Sequence, residues 1–265
     1  MIALDKDSGI TDGNCDCPVG KVACNHLVGK LLKTREAAGA LEKDTRQQSK
    51  SSMWHHERMH RVTSSQFGVV LKRREWTLKG LQNFTSQKDL SRVPAIKYGI
   101  SNEPLAAQRY GEVLHKMGHN AVVSGCGLLV NPRFPWLGAS PDRVICDPVE
   151  GSYGVVEIKC PYSLREHQAC DLAGLDFCCR VNDSVPELKR DHQYYFQLAG
   201  QMGVSGMSWG DFVVYGKDFI LIERVRFNPS EWEGIREVLD NFYFELCCHT
   251  WKALHGPLLR HNCNG

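Results

Sequence analysis

Three short apolar runs in the middle of the chain, separated by turn-forming residues, constrain its fold more than any other feature. They span 121–130, 138–146 and 153–160, with Asn-Pro, Asp-Pro and glycine between them. This pattern predicts three consecutive strands in a meander. Two further apolar runs, 211–215 and 219–226, predict a second pair of strands after an intervening helix.

Helical patterns surround these strands. The predicted helices are 53–60, 65–74, 102–117 with Ser101 or Asn102 as N-cap, 188–204, and one from Asn228-Pro229-Ser230 to about 254. Helices therefore precede the meander, one helix divides it from the last two strands, and another ends the pattern. The order predicts an α/β (α+β) fold with a mixed central sheet flanked by helices.

The composition excludes several classes of protein. Of 265 residues, 42% are hydrophobic and 23% charged, which excludes wholesale disorder. No run approaches the eighteen apolar residues of a membrane-spanning helix. Asp5, Lys6 and Asp7 stand where a signal peptide needs an apolar run, so we expect an intracellular protein rather than a secreted one. The twelve cysteines are then thiols or metal ligands rather than disulfides.

Charge is unevenly distributed along the chain, although the net charge is only +2. Residues 53–110 carry ten Lys and Arg against four Asp and Glu, whereas 111–265 carry fourteen against nineteen. A basic block beside an acidic one suits a protein that grips phosphates with one part and holds a divalent cation with the other. Solvated helical faces explain the same distribution equally well.

The cysteine-rich start of the chain has the spacing of a metal site. Cys15, Cys17, Cys24 and His26 lie within twelve residues, with turn-forming residues between the two pairs. Three sulfurs and one nitrogen with no open position favour a structural Zn²⁺ ion. The spacing resembles the SWIM zinc finger, here with a short stretch before Cys15. We assign 1–36 to this finger.

A polar stretch without aromatic residues, 37–52, separates the finger from the globular pattern. It is predicted to be a linker or the frayed end of a helix that starts near Asn25. The main domain is then 53–254, followed by a tail at 255–265.

Two acids and a lysine carry the strongest chemical signal. Asp142 follows Ser-Pro, and Glu157 and Lys159 alternate with apolar residues along a predicted strand, so the two charged side chains share one face. Asp142, Glu157 and the Ile158 carbonyl would bind one Mg²⁺ or Mn²⁺ through oxygen. Lys159 would then orient or deprotonate the attacking water, or offset charge in phosphodiester hydrolysis. Glu-x-Lys is also a common structural pair.

The chain resembles the PD-(D/E)xK nuclease superfamily, and within it the lambda exonuclease/YqaJ viral recombinase family. The stretches that carry the resemblance occur in the family's order: Trp54–Arg58, Arg61–Ser65, Tyr98–Pro104, Gly138–Asp142, Glu157–Pro161 and Tyr194–Met202. The resemblance covers about 53–250 and implies a restriction-endonuclease-like core.

The resemblance also implies roles at the catalytic centre. Tyr194 and Gln197 share one helix face, and the family places them at the active site, with Gln197 near the lysine and the scissile phosphate. Glu103 matches an acid beside the metal cluster. The alternatives are a packed tyrosine, a solvated glutamine and a helix-start glutamate stabilised by the helix dipole.

A second set of residues resembles the family's pocket for a 5′-phosphate. Arg58, Ser65 and Ser140 form this set, and an arginine fork with hydroxyls suits a phosphate monoester. Arg61 and Thr63 of the same motif are also predicted to contact DNA. Alternatively, a serine of this motif only caps a helix.

The leading hypothesis is a metal-dependent DNA nuclease, a 5′-to-3′ exonuclease on duplex ends that serves recombination or viral and mobile-element DNA processing. It would bind DNA mainly through phosphates. The resemblance implies a homotrimer and a recombination partner protein. A SWIM finger joined to such a nuclease also implies a nuclear protein if the source is eukaryotic, and a cytoplasmic one otherwise. The alternatives are a zinc-finger DNA- or protein-binding module with a vestigial nuclease core, and an endonuclease of the same superfamily.

Overall fold

A five-stranded mixed sheet forms the centre of the molecule, in a computed structural model that describes residues 31, 33–86, 92–182 and 185–247. The described residues contain nine strands: β1 (Val62–Thr63), β2 (Val122–Gly125), β3 (Leu137–Gly138), β4 (Arg143–Asp147), β5 (Ser152–Lys159), β6 (Cys179–Asn182), β7 (Val185–Leu188), β8 (Trp209–Tyr215) and β9 (Ile220–Arg226). The central sheet has the order β2-β4-β5-β8-β9, while β1 pairs with β3 and β6 with β7 in two small separate sheets. Within this sheet β5 and β8 are parallel and the other neighbours are antiparallel, so the predicted mixed sheet is confirmed.

Helices cover both faces of this sheet. They are α1 (Arg35–Asp44), α2 (Ser52–Arg58), α3 (Ser64–Lys72), α4 (Leu78–Thr85), α5 (Pro94–Lys116), α6 (Gln193–Ser205) and α7 (Pro229–Phe242). Short 3-10 turns lie at Gln48–Lys50, Tyr162–Leu164 and Ala169–Gly174, and a π turn at Tyr243–Cys247. In the part of the chain that the structure describes, no helix is long and apolar enough to cross a membrane.

Alternation along β5 decides which side chains reach which layer. Val156 and Ile158 pack in the same cluster as Tyr110 of α5. Glu157 and Lys159 therefore project to the opposite face, as the sequence predicts, because successive side chains of a strand alternate. Helix α6 covers that face.

Helix α6 is buried on nearly all sides, and small residues make this possible. A Cβ on Gly200 would lie 2.3 Å from the Phe67 ring of α3, and one on Gly203 would lie 2.3 Å from the Trp232 ring of α7. Helices α3 and α7 therefore pack closely against α6 and hold it on the sheet, where Leu198 belongs to the hydrophobic core. Any polar side chain on the sheet side of α6 is removed from water.

The segment 37–52 is not a linker. Thr34 caps α1 by accepting a hydrogen bond from the Ala37 amide, and Leu41 packs with Leu128 and Val130. Further along, the buried Thr45 hydroxyl accepts a hydrogen bond from the Leu128 amide at 2.8 Å. The polar composition led to the wrong prediction of a linker, because this helix is held by a few specific contacts rather than by a broad apolar face.

Helix α5 begins earlier than predicted. Pro94, not Ser101 or Asn102, lies at its first turn, and the Asn102 side chain donates to the Tyr98 carbonyl instead of capping. Proline prefers the first turn because it lacks an amide hydrogen, yet Pro104 is also tolerated inside this helix. Glu103 consequently lies in mid-helix.

Two predicted strands are shorter than expected. The first ends at Gly125, with only an isolated bridge between Leu129 and Ala139 beyond it. The second is broken at Ser140-Pro141 into β3 and β4, because proline cannot donate to the ladder. This break frees the backbone before Asp142 to leave the sheet. The β6–β7 hairpin was not predicted, since Pro186 interrupts its strand pattern.

Candidate active site

The acidic residues and the lysine meet at one end of the sheet. Asp142 lies just before β4, and Glu157 and Lys159 lie at the end of the neighbouring β5. The Asp142 carboxylate accepts a hydrogen bond of 2.7 Å from the Ile158 amide through Oδ2. Among the described residues, its other oxygen, Oδ1, accepts no hydrogen bond. The structure therefore brings the two predicted acids together on neighbouring parts of the sheet.

Glu157 is the most buried member of the centre, with 2% of the residue exposed. Its Oε1 accepts hydrogen bonds of 2.5 Å from Lys159 Nζ and from Gln197 Nε2. Its Oε2 accepts one of 2.5 Å from Gln201 Nε2. Charge-assisted hydrogen bonds of this kind are short and strong, and they compensate part of the cost of burying the carboxylate.

Lys159 links the two acids to helix α6. Burial by itself would lower the pKa of Lys159, but the adjacent Glu157 and Asp142 carboxylates outweigh that effect and raise it. Its Nζ also lies 4.6 Å from the ring centre of Tyr194, a cation–π contact. In this arrangement Lys159 is thus held as an ammonium ion, which can orient water or offset negative charge.

The surroundings favour the charged form of Lys159, but they disfavour the charged form of Asp142. Burial, and after it the negative charge of Glu157, raise the pKa of Asp142 well above its usual value. With both acids ionised, two carboxylates and one ammonium give this cluster a net charge of −1. A divalent cation would relieve the repulsion between the acids and turn the net charge to +1, which the single charge of a phosphodiester would balance. The donor set of oxygens therefore fits Mg²⁺ or Mn²⁺.

Glu103 does not touch this cluster directly. Its Oε1 accepts a hydrogen bond of 2.7 Å from Arg143 Nη1, which also donates to the Asp142 carbonyl. Glu103 lies close enough to contribute to the raised pKa of Asp142. The alternative of a helix-start glutamate is wrong, because Glu103 is in mid-helix. Its role beside a metal stays a prediction.

A groove of about 690 Å³ opens beside Lys159. It runs between the first half of α5 and the turn after β5, and the Tyr194 side chain forms part of its wall. Glu103 and Ile158 also line it. The groove therefore adjoins the acidic cluster.

A second polar cluster lies beside the first. Arg58 Nη1 donates to Ser140 Oγ at 3.4 Å, and Nη2 donates to Thr63 Oγ1 at 3.2 Å. Thr63 Oγ1 is 3.3 Å from Ser65 Oγ. The Arg58 guanidinium stacks 3.9 Å from the Trp54 ring, whose Nε1 donates to Ser140. Four of the five residues predicted to contact DNA are thus brought together.

Among the described residues, no carboxylate pairs with the Arg58 guanidinium. Burial lowers the pKa of Arg58 to about 10, so the side chain stays protonated at neutral pH. Its guanidinium faces a cleft of about 270 Å³ lined also by Thr63, Gln66 and Phe84. A half-buried arginine with hydroxyl neighbours is suited to a phosphate.

Arg61 also lines this cleft, but it is arranged differently from Arg58, and the structure does not favour the predicted contact with DNA. Its side chain is 0% exposed and pairs with Glu57 at 2.7 Å. Its guanidinium nitrogens also donate to the main-chain carbonyls of Pro135, Glu57 and Leu31. Arg61 holds α2 to the core, and its charge is already compensated.

The helix cap at this position also differs from the alternative that a serine provides it. Thr63 is the N-cap of α3 and forms a capping box with Gln66, whose side chain accepts from the Thr63 amide at 3.0 Å. Ser65 remains exposed in the first turn. Its hydroxyl is therefore not used for capping.

The two clusters share one short segment, Gly138–Asp142. Ser140 faces Arg58, and Asp142, two residues further on, faces Ile158. Two residues span at most about 7 Å. Gln48 fixes this segment because its side-chain amide donates to the Pro141 and Cys126 carbonyls, both at 2.9 Å. A phosphate in the arginine cleft would thus lie near the catalytic centre.

Sequence reasoning missed two residues of the site. Gln201 contacts Glu157, and Arg143 contacts Glu103. Gln201 follows Gln197 by four positions, so the helical spacing alone places both on one face. Nothing in the sequence signals the pairing of Arg143 with Glu103, because those residues belong to different elements. The predicted zinc ligands Cys15, Cys17, Cys24 and His26 lie outside the described residues.

The sequence model of the YqaJ-like viral recombinase domain matches residues 53–208. The chain therefore belongs to the YqaJ-like viral recombinase domain family. This range contains the acidic cluster, the arginine cleft and all of α6.

Known proteins similar to the chain include viral and bacterial nucleases. An alkaline nuclease of human cytomegalovirus is 30% identical over 166 residues, which is 51% of this chain and 28% of that protein. The chain thus spans less than a third of the curated relatives it matches. Solved structures share the fold as well, among them the following two.

The first of these structures is LHK-Exo of Laribacter hongkongensis in complex with dAMP. It has a TM-score of 0.55 and 22% identity, covering 78% of this chain and all of that one. The second is a SOX–DNA complex, SOX being a protein of Kaposi's sarcoma-associated herpesvirus. It has a TM-score of 0.56 and 12% identity, covering 82% of this chain and 72% of that one. The similarity to both structures is one of fold.

Proposed function

We propose that this protein is a divalent-metal-dependent deoxyribonuclease that degrades linear duplex DNA from phosphorylated 5′ ends. One observation carries the proposal: the uncompensated Arg58 cleft and the Asp142–Glu157–Lys159 cluster are joined by the segment Gly138–Asp142. An enzyme that cuts next to a chain end needs a phosphate anchor close to the reacting bond. The names of the related proteins, alkaline nuclease and alkaline exonuclease, support the same activity.

Within this proposal, Asp142 and Glu157 hold the cation, and the Ile158 carbonyl is the predicted third protein oxygen. When bound, the ion would lower the pKa of a coordinated water and polarise the phosphate. Lys159 positions the attacking water and offsets the charge that develops on the phosphate oxygens. Tyr194 holds the Lys159 ammonium from one side, and Gln197 holds Glu157.

Arg58 would anchor the terminal phosphate, with Thr63, Ser65 and Ser140 as hydroxyl partners. A monoester carries up to two charges and three free oxygens, so it gains more than an internal diester from a guanidinium fork. Affinity for the remaining DNA would come from phosphate contacts and would show little dependence on base sequence. Trp54 keeps the guanidinium in place by stacking.

The decisive experiment compares two forms of one plasmid in Mg²⁺: linear duplex with 5′-phosphates and the covalently closed circle. We expect mononucleotide release from the linear form and no nicking of the circle. Cleavage of the circle would favour the superfamily's endonuclease activity. DNA binding without any cleavage would favour the binding module with a vestigial nuclease core.

The amino-terminal segment is proposed to bind one structural Zn²⁺ through Cys15, Cys17, Cys24 and His26. Metal analysis of the reduced full-length protein should find about one zinc per chain, lost in Cys17→Ser. Absence of zinc from the reduced protein at neutral pH would contradict this assignment. A homotrimer and a partner protein in recombination are further proposals, which light scattering and co-purification would test.

A further inference from the structure

Helix α6 presents a second glutamine to the catalytic carboxylate, and this contact has no role in the activity described so far. Gln197 and Gln201, four positions apart, lie on the sheet side of α6. Gln197 Nε2 donates to Glu157 Oε1, and Gln201 Nε2 donates to Glu157 Oε2, each at 2.5 Å. The two oxygens of one carboxylate are therefore held by separate turns of the same helix.

The surroundings of Gln201 make it costly as a purely structural residue. It is 0% exposed, and its own Oε1 is a buried acceptor with no hydrogen-bond partner among the described residues. The amide orientation is fixed by chemistry, because the flipped amide would set its oxygen against the Glu157 oxygen. A leucine or methionine at this position would fill the space without an unsatisfied oxygen.

We propose that Gln201 is a positioning residue that fixes the orientation of the Glu157 carboxylate for binding the divalent cation. The inference rests on the proposed function, since it assigns Gln201 to the same metal site. With Oε2 anchored from the helix interior, the carboxylate cannot rotate about its last bond, and Oε1 stays on the side of Lys159. Groups that orient a metal ligand typically change metal affinity by roughly 10- to 100-fold.

The packing of α6 shows why this anchor is rigid. Gly200, the residue before Gln201, leaves no room for a Cβ against Phe67, and Gly203 leaves none against Trp232. The helix therefore cannot shift outward to follow a moving carboxylate. Because α6 is fixed, the Gln201 side chain holds the Glu157 carboxylate in a fixed position.

The experiment measures Mn²⁺ binding to the full-length protein by calorimetry without DNA, and the Mn²⁺ dependence of DNA cleavage. For Gln201→Leu we expect the half-saturating Mn²⁺ concentration to rise about tenfold or more in both measurements, with kcat at saturating metal changed only a few-fold. Met202→Leu is the matched control, because Met202 is an equally buried neighbour on α6 outside the contacts of Glu157. It should behave like the parent.

Gln201→Met serves as a second variant that keeps an unbranched side chain, in case Gln201→Leu is poorly folded. Unchanged Mn²⁺ affinity in a folded Gln201 variant would overturn the inference, and so would an equal shift in Met202→Leu. If the parent cleaves DNA while Gln201 has no effect on Mn²⁺, the inference fails and the proposed function stands. If Mn²⁺ binding depends on Gln201 but no DNA is cleaved, the proposed function fails instead.

Discussion

Two ionic clusters lie on opposite faces of the central sheet, and they differ in how their acids are paired. In the first, which we call the compensated cluster, each acid is paired with arginine: Arg224 donates to both oxygens of Asp211 at 2.8 Å, and to Asp147 and Glu150 at 3.0 Å. In the second, the uncompensated cluster, Asp142 and Glu157 share the single ammonium of Lys159.

The clusters affect the pKa of their acids in opposite directions. Burial alone would raise the pKa of Asp147, but hydrogen bonds from His119 and Arg224 hold it below its usual value. Arg226 and Arg224 lower the pKa of Glu150 to about 2. The pKa of Asp142 is instead raised by burial and by Glu157. Acids that are paired with cations hold elements of the fold together, whereas acids whose pKa is raised by burial and by each other mark a candidate functional site.

Arginines show the same contrast within one short segment. Arg61 is buried and paired with Glu57, and it fastens α2 to the core. Arg58, one turn earlier, bonds only to hydroxyls and stacks on Trp54. Both are basic residues of the same motif, and only their partners separate a structural role from a proposed role in binding phosphate.

The largest expected effect is on the chemical step. Lys159→Ala should reduce DNA cleavage in Mg²⁺ by roughly 100- to 1,000-fold, about 3–4 kcal/mol, because it removes a group that offsets charge in the transition state. DNA binding, measured by gel shift, should stay near the parental value. Lys189→Ala is the matched control: both lysine side chains are 21% exposed, but Lys189 pairs with the exposed Asp176. Parental cleavage by Lys159→Ala would remove this cluster from the mechanism.

Substitutions in the compensated cluster should change the free energy of unfolding rather than the rate of DNA cleavage. Arg224→Met leaves Asp147 and Asp211 buried without their cation, so we expect the free energy of unfolding to fall by about 2–4 kcal/mol. Arg226→Met is the control on the same strand, 62% exposed, and should cost less than about 1 kcal/mol. Urea unfolding measures both. Equal losses in the two variants would contradict the assigned difference in burial and compensation.

Arg58→Ala should change end selection by roughly 10- to 100-fold, since a charged hydrogen-bond donor to a phosphate contributes about 1.5–3 kcal/mol. The measured quantity is the ratio of cleavage rates on 5′-phosphorylated and 5′-hydroxyl ends, which should fall toward one. Arg73→Ala is the control, because Arg73 also stacks on a tryptophan, Trp76, at 4.4 Å. A parent that cuts both ends equally fast would refute the anchor.

The smallest effect is the pH dependence of stability in EDTA. The folded-state pKa of Asp142 is raised above its unfolded value near 3.9, so stability falls as pH rises from about 4 through the raised pKa. Asp142→Asn should therefore increase the melting temperature at neutral pH and not at pH 4.

Asp147 has a lowered pKa, so its contribution to stability is present above about pH 4 and is lost on acidification. Asp147→Asn should lower the melting temperature at neutral pH; the same sign in both variants would contradict the comparison.

Periodicity was enough to predict the mixed sheet and the common face of Glu157 and Lys159. A strand places alternate side chains on one face wherever it lies in a fold, so this relation is local. The helical spacing of Tyr194 and Gln197 is local in the same sense, and the structure places both at Lys159 and Glu157. The sequence family motifs likewise located the segment Gly138–Asp142.

Only the tertiary structure decided which charges are compensated. Arg58 and Arg61 are three positions apart and chemically identical, yet Arg61 meets a carboxylate and three carbonyls while Arg58 meets hydroxyls. Gln201 became part of the site because the close packing of α3 and α7 at Gly200 and Gly203 fixes α6 against the sheet. The first part of the polar 37–52 segment belongs to α1, and Thr45 and Gln48 after it bind main-chain groups far along the chain. Such contacts join residues distant in sequence, and burial, which sets their strength, exists only once the chain has folded.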